Sequence, residues 1–203
     1  MLSDNGAASS VTAALADVMR WFAAEDIRGV IVGGVAASLL GRPRMTRDVD
    51  ALILAEDTGW DRLVRSAASF GITPRIENAV DFAARTRVLL FRHDPSGVDV
   101  DVMLGALVFH QEVLARSALV DLGALQVRVP SREDLIIMKA VARRPRDIAD
   151  IDSILSSGSG VDLDRVWQKL REFSSLLEMP EIQEDFEELL RRISKSNRGL
   201  HDL

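Results

Sequence analysis

Between Val32 and Ile53 the chain reads VGGVAASLLGRPRMTRDVDALI. Two adjacent glycines end one apolar run, and two aspartates alternate at the start of the next. Strand interiors normally exclude Asp, because burying a carboxylate without a partner is expensive. Asp48 and Asp50 lie two apart, so on a strand both carboxylates point to one face and call for something positive there. Gly33 and Gly34, placed between a strand and a helix, leave bare backbone N–H groups at a positive helix terminus, an arrangement that receives phosphate. Each element alone has a plain structural reading. A Gly-Gly pair serves tight turns and close helix packing, and this one matches neither GxGxxG nor GxxxxGK[ST]. An acid-x-acid strand can also be a solvated edge. In this order, the two together favour chemistry.

The rest of the chain supplies a third acidic element. TRVLLFRH and VDVDVML flank DPSG, which has tight-turn composition, so they read as an antiparallel hairpin. Its second strand carries Asp99 and Asp101, again at period-2 spacing. If that strand neighbours the Asp48 strand, three or four carboxylates converge and raise each other's pKa. A hard divalent cation such as Mg²⁺ removes that conflict.

Around these motifs the periodicity predicts a helix over 11–27, a strand in RGVIV, a helix in VAASLL ended by Gly41 and Pro43, and a strand in DVDALIL. A surface helix in TGWDRLVRSAASF and a short strand in LQVRVP complete the first part. From Ser131 the pattern turns helical. SREDLIIMKAVARR opens with a candidate N-cap, Ser131, and an acid three positions on, Asp134. Pro145 stops that helix and suits the first turn of the next. SSGSG reads as a flexible joint before two amphipathic helices over 162–177 and 180–193. The expected fold is a small mixed β-sheet with flanking helices, α/β (α+β), over 1–130, followed by a helical part over 131–203 packed on it.

Composition excludes several classes. With 47% hydrophobic and 28% charged residues among 203, the chain is too apolar for a disordered protein and long enough for a sizeable core. Cysteine is absent, which removes disulfides, thiolate zinc, iron–sulfur clusters and cysteine nucleophiles. The N-terminus lacks the pattern of a secretion signal, and no run of about 18 apolar residues offers a membrane span, so the expectation is cytoplasmic. A net charge of -6 argues against coating nucleic acid by general electrostatics. Local basic clusters remain at Arg42, Arg44 and Arg47 and at Arg143, Arg144 and Arg146. His93, His110 and His201 form no ligand spacing and read as turn, surface and tail residues. Trp21, Trp60 and Trp167 read as helix packing.

GGVAASLLGRPRMTRDVDALI resembles the signature of the DNA polymerase beta-like nucleotidyltransferase superfamily. VPSREDLIIMKAVARRPRDIADI is similar to the Lys and Asp motifs of its AbiEii/AbiGii-type branch, which includes toxins of abortive-infection and toxin–antitoxin systems. The resemblance spans roughly 31–154 with four motifs in order. It implies Gly33 and Gly34 as the nucleotide-phosphate turn and Asp48, Asp50 and Asp101 as metal ligands. Arg44 and Thr46 match an Arg-x-Thr-x-Asp-x-Asp pattern, with Arg44 on phosphate and Thr46 shaping the turn. Asp101 rather than Asp99 is the implied third acid, since VDVMLG fits the family's strand. Lys139 would reach the triphosphate, and Asp147 would orient or deprotonate the acceptor. The residues by themselves also allow Lys139 to snorkel along its helix and Asp147 to be a first-turn acid favoured by the helix dipole.

The resemblance implies an enzyme using Mg²⁺ or Mn²⁺ to move a nucleoside monophosphate (NMP) from a nucleoside triphosphate (NTP) to an acceptor, releasing pyrophosphate. The toxin branch implies RNA, such as a tRNA 3′ end, as acceptor, and a cognate antitoxin as partner. An aminoglycoside-like small molecule or a protein hydroxyl is the alternative acceptor. A non-catalytic module that binds nucleotide or a partner is the alternative class.

Overall fold

The computed structural model describes residues 3–123, 125–157 and 160–199. His201 and part of the SSGSG joint lie outside the described residues. The chain forms two compact units, one of residues 1–38 and 44–131, the other of residues 39–43 and 132–203.

The first unit is a mixed α/β layer. Helix α1 (Ser3–Ala24) ends three residues before the predicted point and is followed by β1 (Gly29–Val32), α2 (Gly33–Leu40) and β2 (Asp48–Ile53). After a 3₁₀ turn come α3 (Trp60–Ala68), β3 (Ile72–Pro74), α4 (Ala79–Thr86), β4 (Val88–His93) and β5 (Val98–Leu104). Helix α5 (Val108–Arg116) leads to an antiparallel ribbon of β6 (Ala118–Asp121) and β7 (Gln126–Val129). The five-stranded sheet runs β1-β2-β5-β4-β3. Only β2 and β5 pair in parallel; the other neighbours are antiparallel.

The strand sequences explain which sheet face is buried. In β5 the residues Val98, Val100, Val102 and Leu104 are buried, while Asp99, Asp101 and Met103 face the other way and are half-buried. Against the buried face pack Leu15, Val18, Trp21 and Phe22 of α1, all buried. Trp21 meets Phe91 edge-on at a centroid distance of 5.7 Å and donates its indole N–H to Ser66 Oγ at 2.9 Å.

Sequence reading missed β3, α4, α5 and β6, and it underestimated His93. That ring, 1% exposed, bridges Asp17 Oδ2 at 2.8 Å and Ser96 Oγ at 2.7 Å, tying α1 to the hairpin turn. Partial burial works to raise the Asp17 pKa, but hydrogen bonds and charge from Arg20 and His93 outweigh it and hold the carboxyl below its ordinary value. A depressed folded-state value means stabilisation that is present above the unfolded carboxylate pKa and lost as pH falls through the folded one. The melting temperature of the wild type is therefore expected to fall more steeply below about pH 4 than that of Asp17→Asn. Parallel acid limbs in the two melting curves would remove Asp17 as a contributor.

The second unit is helical: α6 (Arg132–Ala142), α7 (Pro145–Ser156), α8 (Leu163–Leu177) and α9 (Glu181–Gly199). Ile136, Ile151, Ile154, Val166, Leu170, Ile182 and Phe186 form its buried core. Asp162 caps α8, its side chain accepting the Arg165 N–H at 3.0 Å. Asp134 is fully buried and takes the Arg165 guanidinium at 2.7 and 3.2 Å, which explains an acid inside a helix. Trp167 packs edge-on against Phe186 at 5.0 Å. Among the described residues no helix is long and apolar enough to cross a membrane.

Candidate active site

The site is built on the register between β2 and β5. Asp48 lies opposite Asp99 and Asp50 opposite Asp101 on adjacent parallel strands, so the four acids share one sheet face. On the β1 side, Val32 pairs with Asp50, and the next residue is Gly33 at φ +59°. A Cβ at Gly33 would stand 1.8 Å from Asp50 Oδ2. A Cβ at Gly34 would stand 2.6 Å from Thr46 Oγ1 and 3.2 Å from an Arg44 guanidinium nitrogen. Gly33 is therefore required by contact and by its left-handed backbone, and sets its backbone against Asp50, while Gly34 is required by its contact with Thr46.

Thr46 Oγ1 donates to Asp48 Oδ1 at 2.9 Å, orienting that carboxylate and shaping the loop. Arg44 donates to the Met45 carbonyl at 3.0 Å and is exposed. Replacing Gly33 by Ala is expected to destabilise the chain by about 1–3 kcal/mol through left-handed backbone strain. It should also lower activity by more than the stability loss accounts for, because the Asp50 carboxylate must move. An alanine variant with wild-type melting temperature and wild-type rate would refute that contact.

On the β4 side the acids meet two arginines that sequence reading did not assign. Arg92 lies opposite Asp99 in the hairpin and donates to its Oδ1 from Nη2 at 2.8 Å and from Nε at 3.1 Å. Arg75, which follows β3, donates its backbone N–H to the Leu90 carbonyl at 2.9 Å, and Leu90 lies opposite Asp101. Its guanidinium reaches across Leu90, giving Nη1 to Asp99 Oδ2 at 2.8 Å and Nη2 to Asp101 Oδ1. Burial pushes the Asp101 carboxyl above its ordinary value; Arg75 opposes this, while Asp99 and Asp48 reinforce it, and the net shift is upward.

The donor set of aspartate oxygens on one face fits a hard divalent cation. Among the described residues, however, no three side chains of His, Asp or Glu are gathered as a metal cluster. Asp99 and Asp101 are turned to Arg75 instead.

The predicted Lys and Asp residues of the later motif come together within the second unit. Lys139, 6% exposed, donates from Nζ to Asp147 Oδ1 at 3.0 Å and to Asp150 Oδ2 at 2.7 Å. Asp147 also accepts the Arg144 backbone N–H at 3.1 Å, in the first turn of α7. Asp150, at 2% exposure, is thus part of the motif's ion network. In the second basic cluster, Arg143 is engaged by Asp185 at 2.8 Å, while Arg144 and Arg146 are exposed.

No curated protein sequence matches the chain. Among solved structures it is similar to the antibiotic-resistance factor ANT(2'')-Ia, at 14% identity and a TM-score of 0.58, covering 89% of this chain and 99% of that one. It is also similar to the lincosamide antibiotic adenylyltransferase LnuA, crystallised with lincomycin, at 13% identity and a TM-score of 0.51 over 68% of this chain and 92% of that one. JHP933 from Helicobacter pylori matches at 15% identity and a TM-score of 0.51, with 100% and 99% covered. At these identities the likeness is one of fold. Residues 12–198 match a family in sequence, and on that match the chain belongs to the family described as "Nucleotidyltransferase of unknown function (DUF6036)".

Proposed function

We propose that this chain is a metal-dependent nucleotidyltransferase that moves an NMP from an NTP to an acceptor hydroxyl. The observation that carries the reading is the in-register placement of Asp48, Asp50 and Asp101 on one sheet face, beside the Gly33-Gly34 turn. Membership of a nucleotidyltransferase family supports transfer in general. Asp48, Asp50 and Asp101 would hold Mg²⁺ or Mn²⁺, which when bound neutralises phosphate oxygens and favours in-line displacement. The Gly33-Gly34 backbone N–H groups would receive phosphate with no side chain of their own in the way, Thr46 holds Asp48 in place, and Arg44 supplies positive charge. In the reaction the acceptor oxygen bonds to the α-phosphorus, the bond from that phosphorus to the bridging oxygen breaks, and pyrophosphate leaves. The hydroxyl proton passes to a carboxylate of the site.

For the acceptor we propose RNA, on the exposed arginines Arg42, Arg44 and Arg47 and on the resemblance to AbiEii-type toxins, which also places a cognate antitoxin among the proposed partners. A second reading, a small hydroxylated molecule, is favoured by the fold likeness to a lincosamide antibiotic adenylyltransferase and an antibiotic-resistance factor, and by the engagement of Arg143 with Asp185. Incubation of the pure protein with Mg²⁺, each labelled NTP in turn, and either total tRNA or an aminoglycoside or lincosamide tests both. Label on tRNA supports the first reading and label on the small molecule the second. No label on any acceptor, and no pyrophosphate released, would count against the enzyme.

A further inference from the structure

The acids on β5 face cations of the protein itself, Arg75 and Arg92. A single row across the sheet runs Val32, Asp50, Asp101, Leu90, with Arg75 hydrogen-bonded beyond it, and the next row runs Asp48, Asp99, Arg92, Thr73. Arg75 ends one row and sets one nitrogen on an acid of each, Asp101 and Asp99. Its side chain is 25% exposed, so it stands at the mouth of the acidic face. The two acids are held differently. Asp99 has both oxygens engaged, Oδ1 by Arg92 and Oδ2 by Arg75, whereas Asp101 is held by Arg75 through Oδ1.

We propose that Arg75 is a built-in counter-ion for the acidic sheet face, holding Asp101 while no metal is bound and yielding it to a divalent cation. Asp99 is the anchor that keeps the guanidinium beside the site. This rests on the metal-dependent reading above and extends it. A divalent cation brings two charges to Asp101 where the guanidinium shares one between two acids, so Coulomb attraction favours the exchange. Asp99 keeps Arg92 and can take both nitrogens of Arg75 as a bidentate partner, so no carboxylate is stranded when Asp101 is released. Asp99 and Arg75 are thus positioning residues, and Asp101 is the ligand. The extra acid of VDVDVML is explained by the same division: one for the metal, one for the arginine.

The test is Mn²⁺ binding to the full chain, by calorimetry or by the paramagnetic resonance of free Mn²⁺, with melting temperatures of the metal-free and loaded forms. Arg75→Gln should melt lower than wild type without metal, regain the difference with Mn²⁺, and bind Mn²⁺ roughly tenfold more tightly. Arg75→Lys, which restores the charge, should return the affinity most of the way to wild type. Asp101→Asn should lose Mn²⁺ binding, whereas Asp99→Asn should retain it. Equal or weaker Mn²⁺ binding by Arg75→Gln would overturn the counter-ion role while leaving the metal site standing. Loss of binding in Asp99→Asn but not in Asp101→Asn would overturn the division of roles. Absence of Mn²⁺ binding from both wild type and Arg75→Gln would overturn the metal-dependent reading and this proposal with it.

Discussion

Asp50→Asn is expected to reduce NMP transfer on the order of a thousandfold, about 4 kcal/mol of transition-state stabilisation, while the protein stays folded. Asp50 lies against the turn proposed to receive phosphate, its Oδ2 occupying the space in which a Gly33 side chain would begin. It also pairs in register with Asp101. Exchanging carboxylate for amide removes one oxygen donor charge from the proposed metal set at nearly constant shape. The same exchange lowers like-charge repulsion on the sheet face, so the metal-free melting temperature should be unchanged or higher. Transfer lost without stability lost is the signature of a residue kept for function. Label transfer and thermal melting on one preparation measure both. Activity near wild type at ordinary Mg²⁺ would take Asp50 out of the site.

Lys139→Ala is expected to have the largest effect on stability. It takes the Lys139 ammonium away from Asp147 and Asp150, whose side chains are 10% and 3% exposed, and breaking a buried pair in this way costs about 3–5 kcal/mol. Chemical denaturation should show a correspondingly earlier midpoint. The compensated variant Lys139→Met with Asp147→Asn and Asp150→Asn removes all three charges and should recover most of the loss. Its steady-state kinetics then separate the two roles of the lysine. An unchanged KM for NTP assigns Lys139 to holding α6 on α7, and a raised KM in this folded variant assigns it to the triphosphate.

Much of the sheet was legible from local pattern. The hairpin through DPSG followed from turn residues between two β-rich runs, and with its register known, Arg92 could have been placed opposite Asp99 in advance. The acid pairs at 48/50 and 99/101 announced a shared face because strand geometry has period two. The missed β3, β6 and α4 share one cause. β3 is three residues long, β6 is four, and α4 is eight, too short for periodicity to register. His93 looked like an ordinary turn residue because its partners, Asp17 and Ser96, are divided between a distant helix and the turn itself.

The sequence by itself determined the order of strand, Gly-Gly turn, helix and acidic strand, the single face shared by each acid pair, and the Lys-then-Asp spacing of the helical part. All of these depend on residues within a few positions of one another, where φ/ψ preference and side-chain period act directly. Tertiary structure alone decided that β2 and β5 are parallel neighbours, which turns two pairs of acids into one group of four. It also decided that Arg75, 24 residues before Asp99 and 26 before Asp101, closes that group from the β3 side. Strand order is chosen by which apolar faces bury together across the whole sheet, and no local spacing encodes it. The contact of Arg75 with these acids is thus a product of packing, invisible until the sheet is assembled.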